Sequence, residues 1–326
     1  MIPLHREPVL EIKSLNVYFR SKKYGYLHAI RELDLSLHNK EVLGLVGESG
    51  SGKSVTCLAA MRLLPPVAEV DGQVLFKGEN ILTMPATRLD KIRGGQVAMI
   101  SQDPIGSLNP VHSVGRQIKE SLYLHHALTG HDAQQKALAL LQKVGISAPQ
   151  QRLKEYPHQL SGGMCQRVMI AMALAGNPAV LIADEPTTAL DVTIQAQILD
   201  LIRQAIRDTG TSVILITHDL GVVAENCDCM AVLYGGRVAE SGPVELIFRH
   251  PRHPYTQGLM ASLPSLDGRD ARLTPIKGTV PALPDLPAGC AFSTRCEHVM
   301  DGCRRVQPDL KPTGTGNHLL ACHLDR

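Results

Sequence analysis

Residues 47–54 read Gly-Glu-Ser-Gly-Ser-Gly-Lys-Ser and match the phosphate-loop pattern G-x-x-x-x-G-K-[ST] at every position. The apolar run Val42–Val46 before the loop predicts a buried strand, and Ser54–Leu64 after it carries apolar residues at helical spacing. Backbone N–H groups of such a loop face an anion at the helix N-terminus, where the helix dipole also favours negative charge. The alternative is a glycine-rich turn with an accidental Lys-Ser pair, but the full match between strand and helix favours nucleoside triphosphate binding. The expected ligands are Gly47, Ser49, Gly50 and Gly52 around the phosphates, Lys53 on the β- and γ-phosphates, and Ser54 on Mg²⁺.

Two carboxylates follow another apolar segment, the predicted strand at residues 180–183. Asp184 would complete the Mg²⁺ shell through water, and Glu185 is placed to orient or deprotonate the attacking water. Gln102 follows the predicted strand Val97–Ile100, where it is placed to sense both Mg²⁺ and that water. A paired acid also serves as a helix cap, and a single glutamine in a loop is uninformative, so neither feature decides the chemistry alone.

A histidine and a second glycine-containing helix start complete the set of candidates. His218 ends a predicted strand in a position to touch a γ-phosphate, although a single histidine there is usually structural. Residues 160–167 read Leu-Ser-Gly-Gly-Met-Cys-Gln-Arg and open a predicted helix. Ser161 and the N–H groups of Gly162 and Gly163 would form a second anion cradle, one that has no lysine.

These features, together with Ala189-Leu190-Asp191, occur in an order that resembles the ATP-binding cassette of ABC transporters. The resemblance implies a sandwich dimer, in which the signature of one subunit closes over ATP held by the phosphate loop of the other. It also implies that Asp191 belongs to the nucleotide site. Because the residues that correspond to Glu185 and His218 are both present, we expect a competent ATPase.

The resemblance further implies an aromatic residue under the adenine, for which Phe19 is the best match and Tyr18 the alternative. The sequence departs from the family pattern at two positions. Met164 replaces the usual glutamine of the signature, and Ser101 stands where an aromatic residue often precedes the glutamine. Neither change removes a ligand or a catalytic group.

Strands that alternate with helices predict an α/β fold with a mixed or largely parallel sheet. The sequence of residues 230–240 predicts a hairpin that turns at Gly235-Gly236. The family fold implies a nucleotide-binding domain at 1–250 that contains an antiparallel β subdomain and a helical subdomain at about 103–176. Residues 251–326 would form a small, irregular, cysteine-rich module.

Composition limits the class of protein. Hydrophobic residues make up 44% and charged residues 20%, and a net charge of +2 gives no electrostatic reason to expect nucleic acid as a partner. The apolar runs are strand-length, short of the roughly 20 residues of a membrane helix, and the N-terminal residues lack the apolar core of a secretory signal. We expect a peripheral protein at the cytoplasmic face of the membrane, attached through partners.

The segments His250–Gln257 and Gly278–Pro281 resemble the C-terminal extension of oligopeptide and dipeptide importer ATPases. That subfamily implies an ATPase subunit of a binding-protein-dependent peptide importer, with two membrane permeases, a second and non-identical ATPase, and indirectly an extracytoplasmic binding protein. The helical insertion between Gln102 and Ser161 would be the docking face. Nickel-chelate and opine importers use similar ATPases and remain alternatives, and a non-transport ABC ATPase is the more distant one.

Four of the eight cysteines fall near the end of the chain: Cys290, Cys296, Cys303 and Cys322. Four thiolates suit Zn²⁺ or an iron–sulfur cluster, and four reduced structural cysteines are the other possibility. The subfamily resemblance implies a [4Fe–4S] cluster, with Zn²⁺ as the alternative. Because the chain past His250 shows no helical period and no candidate core, we expect such a cluster to hold it together. His253, His318 and His323 are interpreted as exposed loop residues.

Overall fold

The computed structural model describes residues 7–187, 191–262, 275–314 and 317–324. The strands in these ranges are β1 (Pro8–Ser21), β2 (Gly25–His38), β3 (Val42–Val46), β4 (Ala68–Phe76), β5 (Glu79–Asn80), β6 (Val97–Ile100), β7 (Val180–Asp184), β8 (Ser212–Ile216), β9 (Cys229–Tyr234), β10 (Arg237–Pro243), β11 (Lys311–Pro312) and β12 (Leu319–Leu320). The α-helices are α1 (Lys53–Ala60), α2 (Ala86–Ile92), α3 (Val114–His126), α4 (Gly130–Lys143), α5 (Pro149–Arg152), α6 (Gly162–Ala175), α7 (Val192–Thr209), α8 (Leu220–Asn226), α9 (Val244–Arg249), α10 (Pro254–Ala261) and α11 (Asp301–Arg305). None of the described helices is long and apolar enough to cross a membrane. Ala189 and Leu190 lie outside the described residues.

The chain divides into two compact units. The first comprises Leu37–Glu41, Thr83–Ile216 and the chain up to Val9, and the second comprises Leu10–Ser36, Val42–Leu82 and the chain from Thr217 onward.

In the first unit, β6, β7 and β8 are parallel and lie in the order β8-β7-β6. Every residue of β7 and β8 is buried, which is typical of parallel strands that are covered on both faces. The helices α3, α4 and α6 contact one another, and Ser113 caps α3 by accepting a hydrogen bond from the Arg116 N–H. The strands predicted at residues 97–100 and 180–183 and the helix that the signature opens are confirmed.

In the second unit, β3 pairs in parallel with β9, and β9 pairs antiparallel with β10. The strands β12 and β11 follow at the outer side of β10. Gly235 and Gly236 connect β9 to β10 with φ of 55° and 80°, so the predicted two-residue turn is confirmed. A separate sheet, ordered β2-β1-β4-β5, includes antiparallel pairs of β4 with β1 and β5. The expectation of a mixed sheet with an antiparallel β subdomain is thus correct.

The C-terminal extension differs from its sequence-based description. The helix α10 begins directly after His253 with Pro254 at its first position, and Tyr255 is fully buried. Phe292, also buried, packs at 5.4 Å from the Tyr255 ring and 5.2 Å from the Tyr234 ring, measured between centroids. The prediction of a segment without helix or core is wrong for these residues. Tyr255 and Phe292 pack against Tyr234 of the preceding sheet, so their burial does not produce an apolar period within the extension itself.

Two of the three C-terminal histidines are buried and not exposed. Nε2 of His318 donates to Oε1 of the Glu240 carboxylate at 2.7 Å, and both side chains are inaccessible to solvent. The Glu240 carboxylate also accepts the backbone N–H groups of Arg252 and His253. Nδ1 of His253 accepts the Tyr255 N–H at 3.0 Å and so caps α10. The interpretation as exposed residues is therefore wrong for His253 and His318, because both segments pack around the buried Glu240 carboxylate.

Burial lowers the pKa of His253 to about 4, so its ring stays neutral in the folded chain at pH 5. The unfolded chain binds a proton there near pH 6.5, and stability should fall as the pH drops through that value. We expect a loss of about 2 kcal/mol in the free energy of unfolding between pH 7 and pH 5. His253→Asn retains a capping acceptor and cannot titrate, so urea unfolding of this variant should lose that pH dependence.

The matched control is His250→Asn, since His250 is exposed. An identical pH dependence in His253→Asn and in the unsubstituted protein would contradict the assignment. The groups that face His253 are Glu240, Tyr255 and Phe292, and none of them is altered in either variant.

Candidate functional site

The phosphate loop joins a buried strand to a helix, as its sequence predicts. All five residues of β3 are buried, and α1 begins at Lys53 immediately after Gly52, which has φ of 105°. Gly47 and Gly50 also have positive φ, of 149° and 79°. These conformations are accessible to glycine at little cost, and they let the backbone turn sharply between the strand and the helix.

Two of the glycines also have little room for a side chain, and only Gly47 faces a close backbone atom. A Cβ at Gly47 would lie 2.3 Å from the Leu233 carbonyl oxygen, and one at Gly52 would lie 2.6 Å from Cδ1 of Ile30. A Cβ at Gly50 would meet nothing within 4 Å. Gly47 is therefore fixed by packing against β9, whereas Gly50 is needed only for its backbone conformation.

Lys53 occupies the interior of the loop. Its Nζ donates to the carbonyl oxygens of Gly47 at 2.8 Å and of Glu48 at 3.0 Å. The nearby Ser51 Oγ is buried and has no hydrogen-bond partner among the described residues. An ammonium group and an unsatisfied hydroxyl at the start of a helix fit a phosphate, which supplies several acceptor oxygens.

His218 lies in the same unit as the loop. It follows Thr217, whose N–H donates to the Leu45 carbonyl of β3 at 3.3 Å, so the histidine is anchored beside the strand that leads into the loop. Asp219 next to it caps α8 by accepting the N–H groups of Gly221 and Val222. The side chain of His218 is exposed, as a group that contacts a ligand requires.

In the first unit, the structure brings together Gln102 and Glu185. Gln102 follows β6 and Glu185 follows β7, and because these strands are parallel neighbours their carboxyl ends meet. The Gln102 Nε2 donates to the Glu185 carboxylate at 3.0 Å. Glu185 has φ of 46°, a left-handed conformation that costs about 1 kcal/mol for a residue with a side chain. Asp184, the last residue of β7, is buried.

The signature segment also folds as expected. Ser161 precedes α6 and accepts the Met164 N–H at 3.3 Å, and Gly162 forms the exposed first turn of this 14-residue helix. Gly163 follows it, and a Cβ there would approach only Ile194, at 3.7 Å. An exposed helix N-terminus with small residues can accept an anion.

Sequence reasoning missed Gln166 on the same helix. Its buried Nε2 donates at 2.9 Å to the carbonyl oxygen of Pro186, the residue after Glu185. This bond ties the signature helix to the segment that carries the acid. A glutamine on the buried side of a helix near the signature was the only available signal, and its partner could not be read from the sequence.

All of the predicted nucleotide contacts remain predictions, and for two of them the surroundings bear on the assignment. Asp191 is exposed and caps α7 by accepting the Ile194 N–H at 2.9 Å, a role that accounts for its position without a ligand. Phe19 is partly exposed on β1. The Tyr18 ring stacks on His28 with 4.1 Å between centroids, which occupies one face of the alternative aromatic.

The four C-terminal cysteines form no disulfide in the structure, and Cys303 is buried. Burial and the neighbouring thiols of Cys303, Cys322 and Cys296 together raise the pKa of Cys290 to about 11. Among the described residues, however, no group of three or more histidine, cysteine or acidic side chains is arranged to hold a metal ion. The donor types suit a metal or cluster, but their arrangement as it stands does not.

Comparison with known protein families identifies the class of protein. The family described as ABC transporter matches residues 30–188, and the family described as oligopeptide/dipeptide transporter, C-terminal region, matches residues 239–303. The chain therefore belongs to the ATP-binding proteins of ABC transporters and carries the C-terminal region of the oligopeptide/dipeptide type.

Among its relatives is a Bacillus subtilis protein named dipeptide transport ATP-binding protein DppD. The two are 48% identical over 98% of this chain and 95% of the relative. A Brucella abortus protein, named as a peptide import ATP-binding protein, is 48% identical over 96% of this chain and 94% of its own length.

Solved structures agree on the fold. A dimeric bacterial ABC transporter cassette superposes with a TM-score of 0.65 at 26% identity, over 72% of this chain and 98% of the cassette. The cbiO1 protein of Clostridium perfringens, part of the ABC transporter complex cbiONQ, superposes with a TM-score of 0.62 at 26% identity. The superposition covers 75% of this chain and 92% of cbiO1. The predicted α/β cassette fold is thus confirmed.

The glycine geometry yields a matched pair of variants. Gly50→Ala should cost about 1 kcal/mol in the free energy of unfolding, because only the left-handed backbone is disfavoured. Gly47→Ala adds a collision with the Leu233 carbonyl and should cost about 3 kcal/mol. Urea unfolding without nucleotide measures both, and equal losses in the two variants would contradict the packing argument.

Proposed function

We propose that this chain is the ATP-hydrolysing subunit of an importer for dipeptides or oligopeptides. The observation that carries the proposal is the phosphate loop, with Lys53 and an unsatisfied Ser51 hydroxyl inside it, on a chain that ends in the oligopeptide/dipeptide C-terminal region. The printed names of the relatives, peptide import and dipeptide transport, support the same substrate class.

In this proposal, the loop N–H groups and Lys53 bind the phosphates of ATP, and Ser54 ligates Mg²⁺. Mg²⁺ would supply charge neutralisation on the β- and γ-phosphates when bound, with Asp184 and Gln102 as its further partners. Glu185 orients the attacking water and accepts its proton, and Gln102 holds the carboxylate in place through the bond at 3.0 Å. His218 contacts the γ-phosphate.

The remaining nucleotide contacts follow the family arrangement. Phe19 stacks on the adenine, and Asp191 belongs to the nucleotide site. Ser161, Gly162 and Gly163 act on ATP held by another ATPase subunit. The exposed N-terminus of α6 supports this role for the signature. Closure on ATP and reopening after hydrolysis would drive the membrane partners between their two orientations.

The proposed partners are two membrane permeases and a second ABC ATPase, with an extracytoplasmic binding protein acting indirectly. The chain would lie on the cytoplasmic face of the membrane as a peripheral subunit. Apolar side chains exposed on the insertion between Gln102 and Ser161 support this segment as the docking face. They are Ile105, Val111, Tyr123, Leu124 and Tyr156.

The domain limits also stay a proposal: a nucleotide-binding domain at 1–250, with a helical subdomain at about 103–176, and an extension at 251–326. A nickel-chelate or opine importer remains the alternative cargo assignment, because no described feature distinguishes the cargo. Purification of the whole transporter from its host and reconstitution in vesicles would decide between the two cargo assignments. ATPase stimulation by binding protein loaded with peptide, and not with a nickel chelate, is expected.

The role of Glu185 can be tested directly. Glu185→Gln preserves shape and hydrogen bonding but cannot accept a proton, so ATP hydrolysis should fall by at least about 100-fold while ATP binding is retained. The full chain in its assembled transporter provides the turnover number, and a fluorescent ATP analogue provides the affinity. Glu297→Gln, at an exposed acid, is the matched control. Unchanged turnover in Glu185→Gln would refute the assigned role.

The C-terminal cysteines are proposed to bind a [4Fe–4S] cluster, with Zn²⁺ as the alternative. The thiols of Cys296, Cys303 and Cys322 are close enough to raise the pKa of Cys290, which supports the proposal. No three of the side chains in the described residues are arranged to hold a metal ion, which opposes it. We expect iron and acid-labile sulfide in equal amounts, about four of each per chain, after anaerobic purification. Cys322→Ser should lower both. Zinc without sulfide would favour the alternative, and the absence of iron, sulfide and zinc would refute a metal site.

A further inference from the structure

The C-terminal extension contacts the phosphate loop at its second residue. The Arg295 guanidinium pairs with the Glu48 carboxylate through two bonds, of 2.5 Å from Nη1 to Oε2 and 3.1 Å from Nη2 to Oε1. Only 4% of the Arg295 side chain and 31% of the Glu48 side chain are exposed. A bidentate pair with a buried guanidinium is stronger than an exposed pair such as Lys277–Glu297.

The guanidinium is itself held in place by the extension. Nε donates to the Lys277 carbonyl at 2.9 Å, and Nη2 donates to the Gly278 carbonyl at 3.2 Å. The group also lies beside the rings of Tyr234 and Phe292, at 5.8 Å and 5.9 Å from their centroids. Arg295 therefore approaches the loop in one fixed orientation.

The backbone of Glu48 is engaged as well. Its N–H donates to the Tyr255 hydroxyl at 2.7 Å, and Tyr255 is a fully buried residue of the extension. Its carbonyl oxygen accepts the Lys53 ammonium at 3.0 Å and the Ser51 N–H at 3.2 Å. The residue that the extension holds by both side chain and backbone is therefore one of the two, with Gly47, whose carbonyl oxygens orient the phosphate-binding lysine.

We propose that Arg295 is a positioning residue for ATP binding, which acts through Glu48 to hold the phosphate loop in its binding conformation. The proposal rests on the assignment of residues 47–54 as the ATP site. A loop that is already ordered loses less conformational entropy when it binds, so the ion pair raises the affinity for ATP. The extension thereby contributes to the nucleotide site without touching the nucleotide.

The test is a double-mutant cycle on the full chain with Arg295→Met, Glu48→Gln and the two combined. The measured quantity is the dissociation constant of a fluorescent ATP analogue in the presence of Mg²⁺. Each single change should weaken binding about tenfold, because it removes a charge-assisted bidentate pair. The double variant should bind about as weakly as either single variant, since both remove one shared interaction. Lys277→Ala, which removes an exposed cation of the same segment, should change binding by less than about twofold.

Steady-state kinetics separate positioning from a purely structural role. In the assembled transporter, the KM for ATP should rise about tenfold in Arg295→Met while kcat stays within about threefold, because ground-state binding is what the pair supports. A lower unfolding temperature with an unchanged dissociation constant would overturn the proposal, as would losses that multiply in the double variant. Glu48→Gln leaves the extension intact and carries the test alone if Arg295→Met does not fold. Failure of the unsubstituted chain to bind the analogue would instead refute the proposed ATP site.

Discussion

The site in the second unit depends on a sharp turn of the chain between the end of β3 and the start of α1. A triphosphate can be held only if the chain turns sharply between a buried strand and a helix, and Gly47 and Gly52 permit that turn. Packing then fixes it: the Leu233 carbonyl leaves no room for a side chain at Gly47, and Thr217 bonds to Leu45 in β3. The strands around the loop therefore serve as its rigid support.

The first unit presents a different constraint, in which a carboxylate is held in a strained conformation. Glu185 has a left-handed backbone, and its side chain receives a hydrogen bond from Gln102 on the neighbouring strand end. Gln166 holds the next residue, Pro186, from the signature helix. A strained backbone such as that of Glu185 persists only where surrounding contacts hold it in place. The hydrogen bonds from Gln102 and Gln166 therefore link the acid to the signature helix within one unit.

Much of this was accessible from local sequence patterns. The strands β3 and β6 begin and end at the predicted residues, and the turn at Gly235 follows from two consecutive glycines. The extension was misjudged for a physical reason. Glu240 lies 78 residues from His318, and its burial beside that ring depends on how distant segments pack. The helix α10 has too few residues for a visible apolar period, and its buried Tyr255 contacts rings from elsewhere in the chain.

The sequence by itself determined the chemistry of this protein, because the phosphate loop, the acidic strand end and the signature are each encoded by consecutive residues and their backbone preferences. Only the tertiary structure decided which side chains pack around these segments. The pair of Arg295 with Glu48 joins residues 247 positions apart, and the neutral, buried His253 acquires its low pKa only from packing. Desolvation and ion pairing are properties of an assembled environment, which no local pattern specifies.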